Sequence, residues 1–471
     1  MIQPDSRFQK TQNVSVYELL FLTILSAAFY LINLGKGSLA SWDEAIYATV
    51  AKEIFRSGHW FSLTLEGSPW ADKPPLCIWF TSLFYKLFGL NEFSARFFSC
   101  LLGIGTVLVT YFLGTSLFGR WIGFISALVL MSSSHFIHFS RFGMMDVPVT
   151  FFISLALYFF WLGREKNRYL IFSGIAVGLA VMTKSFAALI IFPITWITCW
   201  WASELKILGR SSYWIGVILA VVIALPWHLY ETFLYHGLYL HDAVEKHLFF
   251  RTTKALDGHS GNFYFYIRTM VNKYHPWTLV SILSAPLMLF QSFRLKRKEF
   301  IFTSVWIFVI FGVITAVQTK LDWYILPLYP ALSLSVGYYL EKIFKERNSK
   351  YIQALFLIVM ALHTQYSDIF NHDYSREIKG IAADAKPIIA SADIVYLYNF
   401  HDSPAGNFYL EKKIAYLDNL ESFAERAKIP GPFFCFIHDK DLRSIEIGLP
   451  AVRLTTEASF ENFRLIAKSR H

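Results

Sequence analysis

The chain has 471 residues, of which 55% are apolar and only 16% are Asp, Glu, Lys or Arg, against roughly 45–50% and about 25% in soluble domains. So little charge cannot cover a water-facing surface of this size. Together with apolar stretches of about 18 to 20 residues, each able to cross ~30 Å of hydrocarbon, it excludes a soluble enzyme, a disordered chain and a disulfide scaffold. The 43 basic and 34 acidic residues give +9, a balance that in a membrane protein reports where loops lie and not a nucleic-acid partner.

Apolar runs punctuated by charge predict a polytopic α-helical membrane protein of about eleven spans. They start near residues 16, 94, 121, 148, 169, 185, 213, 277, 301, 323 and 351. The first run follows a short tail with Arg7 and Lys10, lacks a small-x-small cleavage site, and reads as a retained span. With that tail in the cytoplasm, alternation places Arg120, Arg164 to Arg168, Lys206 and Arg210, Arg294 to Lys298, and Lys342 to Lys350 inside, a positive-inside pattern. The outer set is a loop at 36–93, the Arg141 to Asp146 turn, Lys184, a loop at 231–276, the Lys320 to Asp322 turn and everything after about 368. The segment Leu76 to Leu90 is short for a span, contains Lys86, and reads as an interfacial helix. The run after Lys184 follows so closely that the fifth and sixth spans make a tight hairpin.

These boundaries divide the chain into a transmembrane domain at 1–369, with outer loops 36–93 and 231–276, and a small extracytoplasmic α/β domain at 370–471. In the latter, Ile394 to Tyr398 and Phe433 to Ile437 read as strands, and 375–386 and 419–428 as helices. The cysteines, Cys77, Cys100, Cys199 and Cys435, are too dispersed for a CxxC metal site or a disulfide framework.

The residues suited to chemistry fall on the outer side. Asp43 and Glu44 share the first loop with Asp72-Lys73-Pro74-Pro75, where the prolines restrict where the lysine points. A fixed cation beside carboxylates suits phosphate binding next to a general base. Arg141 and Asp146 repeat that pairing at the next outer turn, and Lys184 follows at another. The loop after the seventh span gathers Glu245, His247, Arg251, Asp257, His259 and His275, residues for proton transfer or metal binding although no closed zinc spacing is present. Lys320-Leu321-Asp322-Trp323-Tyr324, with Pro327 and Pro330, puts a cation at the mouth of a span interrupted by proline. Each pair also has a plainer reading as an interfacial anchor. No GxGxxG or Walker A segment is present, so no nucleotide is expected, and Asp439-Lys440-Asp441 imitates a metal motif without the fold that uses it. The spacings Gly119 to Gly123 and Gly174 to Gly178 fit close helix packing.

In this order the motifs resemble the membrane glycosyltransferases of the GT-C superfamily, in the group of the protein O-mannosyltransferases and lipid A aminoarabinose transferases. The matching pieces are Asp43-Glu44, Asp72 to Pro75, Arg141 with Asp146, Gly178 to Lys184, Gly258-His259 with Tyr264 and Tyr266, Pro276-Trp277, and Lys320 through Pro330. The resemblance implies a GT-C-like fold of about 11–13 spans. It also implies an inverting transfer of sugar from a polyprenyl-phosphate carrier, such as undecaprenyl phosphate, to a lipid A, protein or other glycan acceptor at the outer face of the cytoplasmic membrane. It implies catalytic roles for Asp43, Glu44 and Asp146, and carrier-phosphate contacts from Lys73, Arg251, Lys184, Lys320 and Arg141. His259 and Tyr324 would also line the site, and in some members a divalent, zinc-like metal would lie between the positions of Asp72 and His247. The chemistry is coherent, since glycosyl transfer develops positive charge on the sugar and negative charge on the departing phosphate. Two other classes stay open on residues alone: a transporter or flippase of a lipid-linked or anionic substrate, and a noncatalytic glycan-binding scaffold.

Overall fold

The computed structural model describes residues 14–235, 237, 245, 250, 253–254, 259–344, 356, 358–359, 373–400, 403–450 and 452–468. Its contacts divide the chain into two compact units. One comprises Met1–Leu34, Ala71–Phe80 and Arg96–Phe370; the other comprises Gly35–Trp70, Thr81–Ala95 and Asn371–His471.

The first unit is a multi-pass helical bundle. Among the described residues six helical stretches are long and apolar enough to cross a membrane: Glu92–Phe118, Asp146–Gly163, Arg168–Trp201, Ser211–Leu234, Thr278–Leu295 and Lys298–Ala316. A seventh is the pair Arg120–Met131 and Ser134–Ser140, bent by 68° at the break between them. This count falls short of eleven because several expected spans are short or interrupted. Val16–Leu31 has 16 residues, Tyr329–Phe344 is preceded by a 3-10 turn at Asp322–Leu328, and the span expected near residue 351 lies largely outside the described residues. The proline at 327 explains the 3-10 turn, because it removes a backbone donor, and its own carbonyl accepts from Trp306 Nε1 at 3.1 Å. Leu76–Phe88 has 13 residues, about 20 Å of helix, too short to span.

Two ion pairs show how Arg168–Trp201 runs. As one rod its 34 residues would extend about 50 Å. Yet Lys184 Nζ donates to Asp146 Oδ1 at 2.5 Å, at the start of helix Asp146–Gly163. Twenty residues later, Glu204 accepts from Arg164 Nε at 2.7 Å, just past that helix's end. The chain therefore climbs to Lys184 and returns, as a hairpin. The turn is made by Ser185 at φ 21°, followed by the 3-10 segment Ser185–Ile190. The lower end is stapled further: Lys298 also bonds Glu204, and Arg210 donates to the carbonyls of Gly163 and Arg164 at 2.9 and 3.1 Å. Basic residues expected in three separate inner loops thus meet at one end of the bundle.

Small residues let the helices approach. A Cβ on Gly174 would lie 2.0 Å from the Gly216 carbonyl oxygen, so helices Arg168–Lys184 and Ser211–Leu234 touch backbone to backbone.

The second unit is built around a five-stranded mixed sheet of strands β3 Ile394–Tyr398, β4 Lys413–Leu417, β5 Phe434–His438, β6 Leu454–Phe460 and β7 Phe463–Lys468, in the order β4-β3-β5-β7-β6. The strand β3 pairs in parallel with β4 and β5, whereas β7 is antiparallel to β5 and β6. Helices Arg376–Ile388, Leu420–Lys428 and Asp439–Gly448 are amphipathic, and Tyr396, Phe423, Phe433, Cys435, Ile437 and Ile445 lie in the core. This unit also takes in the first outer loop. Leu39 N–H donates to the Tyr409 hydroxyl at 2.8 Å, Ser38 N–H to Asp373 Oδ1 at 3.0 Å, and Lys52 Nζ to the carbonyls of Asn407 and Phe408 at 2.9 Å each. The loop's two short strands, β1 Thr64–Leu65 and β2 Ser68–Pro69, form a hairpin whose turn residues Glu66 and Gly67 both have positive φ, as a two-residue turn of this twist requires.

Candidate active site

In the first unit the site is built on helix ends. Asp146 opens helix Asp146–Gly163 and Lys184 closes helix Arg168–Lys184, so the carboxylate sits at the positive end of one dipole and the ammonium at the negative end of the other. Asp146 is 4% exposed; the pair is held away from bulk water, where its attraction is screened least. The Lys184 ammonium also lies 5.2 Å from the ring centre of Tyr324, which the 3-10 turn Asp322–Leu328 carries to it. Trp323 of the same turn packs on Phe139, ring centres 5.8 Å apart. The Cys77 thiol is within electrostatic reach of both Asp146 and Lys184, and it lies four residues after Lys73. The Asp72 to Pro75 segment therefore leads onto this cluster. Within it, Lys73 Nζ donates to Asp72 Oδ2 at 2.6 Å.

Two other expected phosphate contacts have structural work here. Arg141 is fully buried and donates to the carbonyls of Tyr30 and Phe29 at 2.8 and 3.3 Å, at the end of the first helix. Lys320 donates to the carbonyls of Ile314, Thr315 and Val317, closing helix Lys298–Ala316, and burial holds its ammonium below the usual lysine range. His259 is exposed, and its carbonyl accepts the Lys320 N–H at 2.9 Å. Arg251 and His247 lie outside the described residues.

In the second unit Asp43 and Glu44, neighbours in sequence, do different things. Glu44 is 1% exposed and its Oε2 accepts the Ala40 N–H at 2.7 Å, closing the turn that leads into helix Asp43–Ser57. Asp43 is half-buried at the first position of that helix, beside Trp42, which is 60% exposed. Among the described residues no hydrogen bond or ion pair engages the Asp43 carboxylate. Glu44 is thus the carboxylate that shapes the loop, while that of Asp43 is left unengaged among the described residues.

The implied metal does not fit the described residues. The Asp72 carboxylate is paired with Lys73, His247 is outside the description, and no group of three or more His, Cys, Asp or Glu could hold an ion among the described residues. Sequence reasoning missed Cys77, hidden in an apolar run, and the pair His228 and Ser185, which meet at 3.4 Å beside Lys184. Only the side of a helix on which His228 falls would have pointed to it.

Comparisons with known proteins agree with this picture. Residues 72–230 match the family model described as dolichyl-phosphate-mannose-protein mannosyltransferase. An uncharacterized protein of Aquifex aeolicus is 30% identical over 348 residues, covering 73% of this chain and 68% of that protein. The undecaprenyl phosphate-alpha-4-amino-4-deoxy-L-arabinose arabinosyl transferase of Yersinia enterocolitica is 26% identical over 334 residues, 68% of this chain, which spans 58% of that protein's length. In fold, the crystal structure of ArnT from Cupriavidus metallidurans bound to undecaprenyl phosphate superposes with a TM-score of 0.77 at 17% identity, covering 96% of this chain and 98% of that one. A bundle with a small sheet unit, the Asp146–Lys184–Tyr324 cluster and these relatives lead to one conclusion: the chain belongs to the GT-C membrane glycosyltransferases of the protein O-mannosyltransferase and aminoarabinose transferase type.

Proposed function

We propose that this glycosyltransferase takes its sugar from a polyprenyl-phosphate carrier and passes it, with inversion, to a glycan, lipid or protein acceptor on the extracytoplasmic side of the cytoplasmic membrane. The observation that carries the reading is the polarity of the bundle. One end of helix Asp146–Gly163 is stapled by Arg164, Lys298 and Arg210, and the other carries Asp146 with Lys184. By the positive-inside rule the stapled end is cytoplasmic and the Asp146–Lys184 end external. The donor class is supported by the names of the relatives, one of which acts with an undecaprenyl-phosphate sugar and one of which was crystallised with undecaprenyl phosphate.

In this reading the acceptor oxygen forms a bond to the anomeric carbon as the bond from that carbon to the phosphate oxygen breaks. Asp43 takes the proton of an acceptor hydroxyl, or steadies the positive charge on the sugar where the acceptor is itself an anion. The departing phosphate gains negative charge, which Lys73, Arg251 and Lys184 offset. Asp146 holds Lys184 in place, and Tyr324 fixes it from the ring side. A water-poor site makes each of these interactions stronger than in solution.

The test is transfer from a panel of labelled polyprenyl-phosphate sugars to envelope extracts, comparing wild type with folded Asp43→Asn. Transfer by wild type with a loss on the order of 10²-fold or more in the variant is expected. Equal transfer by both would remove Asp43 from the chemistry, and no transfer from any donor would remove the donor class.

A further inference from the structure

The segment Gly37 to Ser41 is neither helix nor strand, yet side chains from the C-terminal part of its own compact unit hold it residue by residue. The Gly37 carbonyl accepts from Lys379 Nζ at 2.6 Å, and the Ser38 N–H donates to Asp373 Oδ1 at 3.0 Å. The Leu39 N–H donates to the Tyr409 hydroxyl at 2.8 Å, and the Leu39 carbonyl accepts from Ser375 Oγ at 2.9 Å. The Ser38 hydroxyl accepts the Ser375 N–H at 2.6 Å, and Ser41 Oγ meets Ser403 Oγ at 2.9 Å. These partners lie 335 to 370 positions later in the chain.

Some of the bonds close a ring. The Tyr409 hydroxyl donates to Glu92 Oε1 at 3.0 Å, and the same oxygen accepts from Lys379 Nζ at 2.6 Å. Hydrogen bonds therefore run from Leu39 through Tyr409, Glu92 and Lys379 back to Gly37. Tyr409 is 8% exposed and Ser375 7%, so water competes little for these bonds, and bonds linked in a chain polarise one another.

Irregular segments are ordinarily the mobile parts of a domain, and ordering one costs conformational entropy. The core of the sheet does not call for it, since that core is drawn from Tyr396 to Ile466. What the ordering fixes is the chain that follows. The Ala40 N–H donates to Glu44 Oε2 at 2.7 Å and the Ala40 carbonyl accepts the Ala45 N–H at 3.2 Å, so the gripped segment is bonded to helix Asp43–Ser57 just past Asp43. Further along that helix Lys52 is held by the carbonyls of Asn407 and Phe408, beside Tyr409 in sequence. A group that must meet a reacting atom gains rate from being held in place before the substrate arrives.

We propose that Tyr409 is a positioning residue for the transfer: with Glu92 and Lys379 it fixes the segment Gly37 to Ser41 and so sets the position of the Asp43 carboxylate. The C-terminal sheet thereby serves the reaction as the mount of that carboxylate. The proposal rests on the transferase reading above, in which Asp43 acts on the acceptor or the sugar.

The experiment compares the full chain as wild type, Tyr409→Phe, Glu92→Gln and Arg464→Gln, each alone and combined with Asp43→Asn. The donor is the labelled polyprenyl-phosphate sugar that wild type transfers. Tyr409→Phe keeps the ring and removes the hydroxyl, Glu92→Gln disturbs the same ring of bonds without touching the packing of Tyr409, and Arg464→Gln breaks an ion pair with Asp439 elsewhere in the sheet. In Tyr409→Phe, kcat should fall about 10-fold with the donor KM within about twofold of wild type, and Glu92→Gln should lose about threefold. Arg464→Gln should stay within about twofold. In the Asp43→Asn background Tyr409→Phe should cost little more, because nothing is left for it to position; if that background is too slow to measure, Asp43→Glu takes its place with the same expectation. Amide exchange at Leu39 and Ala40 should quicken in Tyr409→Phe while that of β3 and β5 stays unchanged. An unchanged kcat in Tyr409→Phe, a loss equalled by Arg464→Gln, or losses that multiply with that of the Asp43 variant overturn the proposal. Full transfer by Asp43→Asn alone would instead bring down the reading on which it stands, while the quickened exchange at Leu39 would still report the grip.

Discussion

Helix Asp146–Gly163 carries an ion pair at each end, and the two ends are built for different work. At the Gly163 end, Glu204 is held by Arg164 through two hydrogen bonds, at 2.7 and 3.2 Å, and also by Lys298. The Arg164 guanidinium lies 3.9 Å from the centre of the Trp161 ring, and Arg210 closes the helix carbonyls. The hydrogen bonds there tie one loop to another, and the stacked Trp161 ring holds Arg164 in place. At the Asp146 end a buried carboxylate and an ammonium meet across two helix termini, with an aromatic face alongside. The same interaction type is thus a fastener at one end and, in the proposed function, a positioned charge at the other. What separates them is the surrounding cast of loop anchors or site residues, not the pair itself.

The largest expected contrast comes from Lys184→Ala. It leaves Asp146 buried without its cation, so both transfer and stability should fall, transfer on the order of 10²- to 10³-fold and stability by about 3–5 kcal/mol. Adding Asp146→Asn should recover much of the unfolding temperature but none of the transfer. If the double variant regains activity, the pair is a fastener too and the comparison collapses.

Arg164→Ala should do the reverse. With Glu204 still met by Lys298, stability should drop by about 1–2 kcal/mol, while transfer per folded molecule stays within about twofold of wild type. A large selective loss of transfer would show that the inner staple shapes the outer site.

The smallest effect is a pH dependence. Burial pushes the Glu204 carboxyl up, but the hydrogen bonds from Arg164 and Lys298 outweigh it and hold the group below the usual carboxylate range. A carboxyl with a depressed folded value contributes stability that is fully present above its unfolded value, ~4.3, and is lost as pH falls through the lower folded value. Thermal unfolding of wild type between pH 7 and pH 3 should show that loss, and Glu204→Gln should flatten it. Parallel curves for the two proteins would deny the staple its electrostatic role.

Much of this was legible in the residues. The hairpin at Lys184 follows from two apolar runs with one cation between them, and the basic loops that meet around Glu204 stand out as charge between apolar runs. The strands at Ile394–Tyr398 and Phe434–His438 stood out because parallel central strands are buried on both faces and read as apolar runs. The other three strands of the sheet were not picked out. In β6, exposed and half-buried positions mix over Leu454–Phe460, and β4 is only partly covered, so neither forms an apolar block. In the candidate site, Asp43 and Lys73 stand out in the sequence because acids and a proline-flanked cation share one loop, and Asp146 and Lys184 because each lies at the end of an apolar run. The division of labour between Asp43 and Glu44, and the capping work of Arg141 and Lys320, do not. Each depends on which backbone carbonyl or amide lies within 3 Å.

The sequence by itself determined that this chain spans a membrane many times, that its basic residues concentrate in alternate loops, and that its C-terminal hundred residues differ in texture from the rest. Those properties follow from composition and period, which are local. Only the tertiary structure decided that the first outer loop belongs to the compact unit of the C-terminal sheet, and that Cys77, His228 and Tyr324 gather near Lys184. These depend on the rotation of each helix about its axis and on pairings between residues 38 to 370 positions apart. No local pattern in the sequence encodes them.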